Sequence, residues 1–222
     1  MFPLMKKRTP AINDLLRVMA RLRSPTGCPW DREQDHMTLR RHAIEEVYEL
    51  IDAIEARDDH EMAEELGDLL LQVVFHCQLA NERGAFDFEK VARHLVDKLV
   101  RRHPHVFGDT KVKDVDEVWA NWEKIKKAEK VGTRHERPSA LDGIPKHLPA
   151  LLRAEKLIKK ARKAKLFGDA KPIRRANKSA LARELFDLTA YAQSRGWTAE
   201  ELLMGETKKQ ERVLRQIEKK HG

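Results

Sequence analysis

The chain has 222 residues, 41% hydrophobic and 36% charged, with a net charge of +8. That is apolar enough for a folded core of one or two domains, and it excludes a disordered chain. Two cysteines exclude a disulfide scaffold, and no apolar run nears the ~18 residues of a membrane span.

At the N-terminus the basic residues follow a short apolar piece, the reverse of a secretion signal, so a cytoplasmic protein is expected. Helical periodicity dominates and β-branched runs are few, which predicts an all-α fold. A first helix runs over 11–23, with Ile12, Leu15, Leu16, Met19 and Leu22 on one face. Residues 24–31 read as a loop set by two prolines and Gly27. A second helix spans 38–57, with an apolar stripe of Ile44, Val47, Tyr48, Ile51 and Ile54. A third spans 59–81; its Leu69–Phe75 stretch is apolar nearly all round, which predicts a buried central helix. Gly84 ends that helix and a fourth follows Asp87 to Arg102. His103–Gly108 reads as a loop in which Pro104 makes a turn between two histidines. A helix over 115–130 precedes a Gly-, Pro- and His-bearing linker, 132–147. Beyond Leu148 come a strongly basic helix to Lys165 and two more, over 179–195 and 198–220, the last with a Thr198/Glu201 capping box. Cys77, in an apolar run, is expected to be a buried thiol.

Charge is unevenly spread. Between His42 and Glu82 stand twelve acids and one base, Arg57, for a net −11; the rest of the chain is +19. An ordinary solvated helix face mixes signs, since Glu–Lys pairs four apart stabilise it. The missing counter-cations fit either an acidic surface or a bound cation.

Spacing sharpens the second reading. Glu46 and Glu49 are three apart, and so are Glu65 and Asp68. Each pair therefore shares a helix face. The two helices meet at a turn near 57–58 and should form an antiparallel hairpin. Glu49 then faces Glu65, and Glu46 faces Asp68. Four carboxylates beside an apolar stretch need protonation or a cation. The donors are all oxygen, which suits magnesium first and manganese second. Glu45 lies beside the cluster as a general base or a supporting acceptor, or simply as a solvated residue. Gly67, between two ligand positions, suggests close helix packing.

The pattern Glu45-Glu46-x-x-Glu49 with Glu65-x-x-Asp68 resembles the MazG family of nucleoside triphosphate pyrophosphohydrolases. So do Gly27-Cys-Pro-Trp-Asp31, Glu65-Leu-Gly-Asp-Leu-Leu70 and Arg101-Arg-His-Pro-His-Val-Phe107. The resemblance covers about residues 12–160. It implies an all-α helical-bundle homodimer and magnesium-dependent cleavage of nucleoside triphosphates to monophosphate and pyrophosphate. It carries the metal ligands to Glu46, Glu49, Glu65 and Asp68, with Glu45 completing the motif. Lys98, Arg101 and Arg102 are assigned to the phosphates, with a solvated basic helix end as the alternative. Trp30, Asp31 and Gln34 are assigned to the base pocket, with Trp30 either stacking on the base or anchoring its loop.

On this reading residues 1–131 are the catalytic domain, 132–147 the linker, and 148–222 a shortened, degenerate second copy. Glu184-Leu-Phe-Asp187 echoes Glu65-Leu-Gly-Asp68, and Lys209-x-x-Arg212 echoes Lys98-x-x-Arg101. The upstream acidic helix is missing, so no complete metal site is expected in the second half. A catalytically weak or inactive nucleotide-binding regulatory dimer is the alternative. A basic nucleic-acid-binding protein is another, supported by Lys159–Lys165 but by no nucleic-acid motif; no specific nucleic acid or membrane partner is expected.

Overall fold

The computed structural model describes residues 10–134, 136–166 and 177–221. Those residues form ten helices and no strand. The chain divides into two compact units, Met1–Lys113 and Asp114–Gly222.

In the first unit, α1 (Ala11–Leu22) packs on α4 (Asp59–Glu82), and α3 (Arg40–Ala56) pairs with α4 as a hairpin. A short α2 (Pro29–Glu33) lies between α1 and α3. Then follow α5 (Phe88–Arg102), against α4, and a single turn, α6 (Pro104–Phe107). The two short helices replace expected loops. Each has proline at its first turn, where the missing N–H costs nothing, and each is too short for periodicity to register.

The hairpin turn is built from two residues. Arg57 takes a left-handed conformation (φ 57°), and the Asp58 N–H returns to the Ala53 carbonyl at 3.1 Å, closing α3. The Asp58 carboxylate then accepts from the backbone N–H groups of His60 (2.9 Å) and Glu61 (3.2 Å), capping α4. Such caps contribute about 1 kcal/mol. With one residue ending a helix and the next starting another, the register of α3 against α4 is tightly set.

The core of this unit is Met19, Leu39, Val74, Phe75 and Leu79, walled by Ile12, Leu15, Leu16, Leu71 and Phe88. Cys77 is buried, and burial pushes its thiol pKa up. Two expectations are corrected. The stripe Ile44, Val47, Tyr48, Ile51 and Ile54 is solvent-exposed, and α4 likewise exposes Leu66, Leu70 and Val73. Only part of Leu69–Phe75 is therefore core; periodicity identifies an apolar face but not what covers it. A Cβ placed on Gly67 would meet nothing within 4 Å among the described residues, so none of them demands glycine there. Gly27 is different. Its Cβ would stand 2.0 Å from the Leu22 carbonyl oxygen, so the loop after α1 can close only with glycine.

The second unit contains α7 (Val115–Ala128), α8 (Ala150–Lys163), α9 (Lys178–Ser194) and α10 (Ala199–His221). α8 packs along α10, around Leu141, Leu157, Ala161 and Leu214. Leu141 comes from the stretch read as linker, and Glu218 of α10 accepts from the Ala140 N–H at 2.7 Å. Arg153, buried on α8, pairs with Glu211 of α10 at 2.5 Å.

Candidate functional site

The tight turn brings the two acidic helix faces together. One carboxylate oxygen from each of Glu46, Glu49 and Glu65 lies within 4.8 Å of the others. Asp68 is outside that trio but near enough for its charge to act on both Glu46 and Glu65.

The cluster is electrostatically strained. Burial raises the Glu46 carboxyl above its ordinary range, and Asp68 and Glu49 add to the rise; the Gln72 amide, 3.4 Å from Glu46 Oε1, opposes it. Burial also raises Glu65, reinforced by Glu49, Asp68 and Glu46. Glu65 Oε2 and Gln72 Oε1 are buried without a hydrogen-bond partner. An orphaned carboxylate oxygen among like charges is what a divalent cation would satisfy, and the donors are all oxygen. The residues present thus fit a hard divalent cation.

The other expected residues are spread around this centre. Glu45 is not in the trio; its carboxylate lies 3.1 Å from His42 Nδ1, facing solvent. Trp30 is exposed on α2, edge-on to the His42 ring at 6.0 Å, so it is no core anchor. Gln34 donates its side-chain amide to the Trp30 carbonyl at 3.1 Å. Lys98, Arg101 and Arg102 all lie on the last turns of α5. In the second unit, Glu184 and Asp187 are exposed on α9 and join no group of three metal-binding side chains among the described residues.

Sequence reasoning missed Arg23. Its guanidinium grips Glu82 with two bonds of 2.7 Å, donates to the Asp31 carbonyl and to the Gln34 carbonyl (3.2 Å), and lies over the Phe75 ring. It ties the loop that bears Trp30, Asp31 and Gln34 to the end of α4. The partner is 59 residues away, so no local pattern could reveal it. Reasoning also missed His36 and His76, whose rings stack at 5.1 Å with Nδ1 atoms 2.8 Å apart. Burial lowers the His76 pKa, and His36 adds to that.

A family model described as the MazG nucleotide pyrophosphohydrolase domain matches residues 34–107, the stretch that holds all four acidic positions. The chain is 49% identical over 150 residues to a nucleoside triphosphate pyrophosphohydrolase of Escherichia coli (strain K12), covering 67% of this chain and 56% of that protein. It is 47% identical over 153 residues to the nucleoside triphosphate pyrophosphohydrolase/pyrophosphatase MazG of Thermotoga maritima, covering 69% and 57%. It is also 51% identical over 142 residues to the uncharacterized protein YabN of Bacillus subtilis (strain 168), covering 64% and 28%. The chain thus spans 28% to 57% of the length of these relatives.

Proposed function

We propose that the chain hydrolyses nucleoside triphosphates to monophosphate and pyrophosphate, a reading supported by the match of residues 34–107 to the MazG nucleotide pyrophosphohydrolase domain. The observation that carries the reading is the crowded trio of Glu46, Glu49 and Glu65, with its unpartnered buried oxygen.

In this mechanism Glu46, Glu49, Glu65 and Asp68 would hold magnesium, or manganese in its place. When bound, the cation neutralises the carboxylates, polarises the α-phosphate and acidifies water. Glu45, outside the trio, accepts the proton of the attacking water. The water oxygen bonds to the α-phosphorus, the bond to the α–β bridging oxygen breaks, and pyrophosphate leaves with those electrons. Lys98, Arg101 and Arg102 draw the phosphates, the arginines by two-pronged contacts. Trp30, with its exposed ring, stacks on the base, and Asp31 and Gln34 line its edge.

The same proposal includes a homodimer. It is supported by the exposed apolar rows of α3 and α4, which few monomers leave in water. No helix among the described residues is long and apolar enough to cross a membrane, in keeping with a cytoplasmic setting. All the proposed catalytic residues lie in the first unit, which ends at Lys113 rather than at the expected 131 and leaves α7 with the second unit; residues 148–222 are read as descending from a second copy that has lost its acidic helix.

The test is pyrophosphate release from a panel of ribo- and deoxynucleoside triphosphates, with and without magnesium. Glu49→Gln should abolish release while circular dichroism stays unchanged. Release that persists in chelator, or in that variant, overturns the assignment. Triphosphate binding without any release would instead favour a regulatory dimer.

A further inference from the structure

The second unit holds a cavity of about 580 Å³ bounded by α7, Val131, the segment 136–142, α8 and α10. Seven of its lining side chains are Lys or Arg and four are Asp or Glu. The acids are already engaged by the chain. Glu218 accepts from the Ser139 hydroxyl and the Ala140 N–H, and Asp142 pairs with Arg215 at 2.9 Å and accepts from the Ser139 N–H. Glu136 accepts from the Gly132 N–H at 3.0 Å, and Glu123 lies 3.6 Å from Lys126.

The cations are less well matched. Lys127, Lys163 and Arg137 have no carboxylate within ion-pair distance among the described residues. Lys160 donates to the Ala140 carbonyl at 3.2 Å rather than to an acid. Burial disfavours its charge, and Lys126 and Arg137 push the same way against Glu123 and Asp142. Arg137 has a shaped seat: its guanidinium lies where a Cβ on Gly143 would stand, 2.0 Å from Nη1, and Gly143 has φ +86°.

Placement points to the ligand. Lys160 and Lys163 are three apart on α8 and share its face; Lys127 is presented from α7 and Arg137 from the intervening segment. A single phosphate has oxygens enough for three cations but is small against a cavity of about 580 Å³. A chain of two or three phosphates can meet them all, and the volume is in the usual range for small-ligand sites, ~300–1,000 Å³. We propose that this cavity binds an oligophosphate, either inorganic or the phosphate chain of a nucleotide, using no residue of the acidic cluster. The ligand bridges α7 and α8 and quiets their mutual repulsion. This goes beyond the hydrolytic reading and does not depend on it.

The test is calorimetric titration of the full chain with inorganic tripolyphosphate in chelator, where magnesium cannot mediate binding at the acidic cluster. Saturable binding is expected at one site per chain. Lys160→Gln should weaken it by about tenfold or more, the loss of one charged hydrogen bond. Lys163→Gln and Arg137→Gln, at exposed positions, should each weaken it while leaving the circular dichroism unchanged. Glu49→Gln should not alter it. A non-hydrolysable triphosphate analogue competing with equal affinity assigns the site to the phosphates alone; tighter competition adds the nucleoside to the ligand. Affinity unchanged by all three cation substitutions overturns the proposal. So does binding lost in Glu49→Gln, or a single-stranded oligonucleotide that binds more tightly than tripolyphosphate at the same residues.

Discussion

Replacing Arg23 by alanine should cost the first unit about 3 kcal/mol, a sum that can be worked from its contacts. Its side chain is 9% exposed and meets Glu82, 36% exposed, through two bonds of 2.7 Å. The partial exposure of Glu82 limits that pair to about 1 kcal/mol. Removing the guanidinium also strips a donor from the Asp31 and Gln34 carbonyls, at about 1 kcal/mol each for polar groups left unmatched in part-buried surroundings. With a urea m-value of about 2 kcal/mol/M, the midpoint should fall by roughly 1.5 M. The assay is urea unfolding followed by Trp30 fluorescence, in a protein whose other three tryptophans are phenylalanine. Arg23→Lys should recover only part of the loss, since an ammonium cannot span both Glu82 oxygens and the two carbonyls. The Arg23 bond holds the Glu82 carboxyl below its ordinary range, with Gln78 assisting against burial. The stability this brings is present above the unfolded carboxyl pKa and fades as pH falls through the folded value. The penalty of Arg23→Ala should therefore shrink in acid. In turnover, the loosened loop should raise KM more than it lowers kcat. A loss below about 1 kcal/mol, or one independent of pH, would refute the clamp.

Glu65→Gln should weaken magnesium binding by at least about tenfold, yet raise the melting temperature of the cation-free protein, because one of three crowded charges is gone; a lower cation-free melting temperature would count against the strained cluster. The raised Glu46 and Glu65 carboxyls make the folded, cation-free chain hold protons that the unfolded chain releases. Its stability should fall as pH climbs through those raised values, and the melting-temperature gain on adding magnesium should widen over the same interval. A gain that is flat with pH, read by scanning calorimetry, would contradict this. Arg57→Gly should stabilise the hairpin by about 1 kcal/mol, because a non-glycine residue at φ 57° is strained; thermal melts that show no gain would mean that other contacts of Arg57 repay the strain.

The acidic cluster was legible in the sequence because it depends on short-range rules alone. Spacing of three fixes which carboxylates share a face, and a two-residue turn leaves little freedom in how α3 meets α4. The Asp58, Asp87 and Asp114 caps obey equally local rules, although the sequence reading marks only Asp87, as the residue that the fourth helix follows. What escaped is long-range or below the resolving length of periodicity. Arg23 finds Glu82 only after α1 has docked on α4. Gln72 reads as one polar residue in an apolar run until Glu46 is seen beside it. The α3 stripe looks like core in any helical wheel, since a wheel carries no information about the other side of the contact.

The turn at Arg57 and Asp58 has a consequence for how this chain can vary. A helix advances about 100° per residue, so one inserted or deleted residue there would rotate Glu65 away from Glu46 and Glu49. Surface connections usually tolerate changes of length; this one should not. Across descendants of this gene, insertions should accumulate between other helices and spare the step from Ala56 to Asp59.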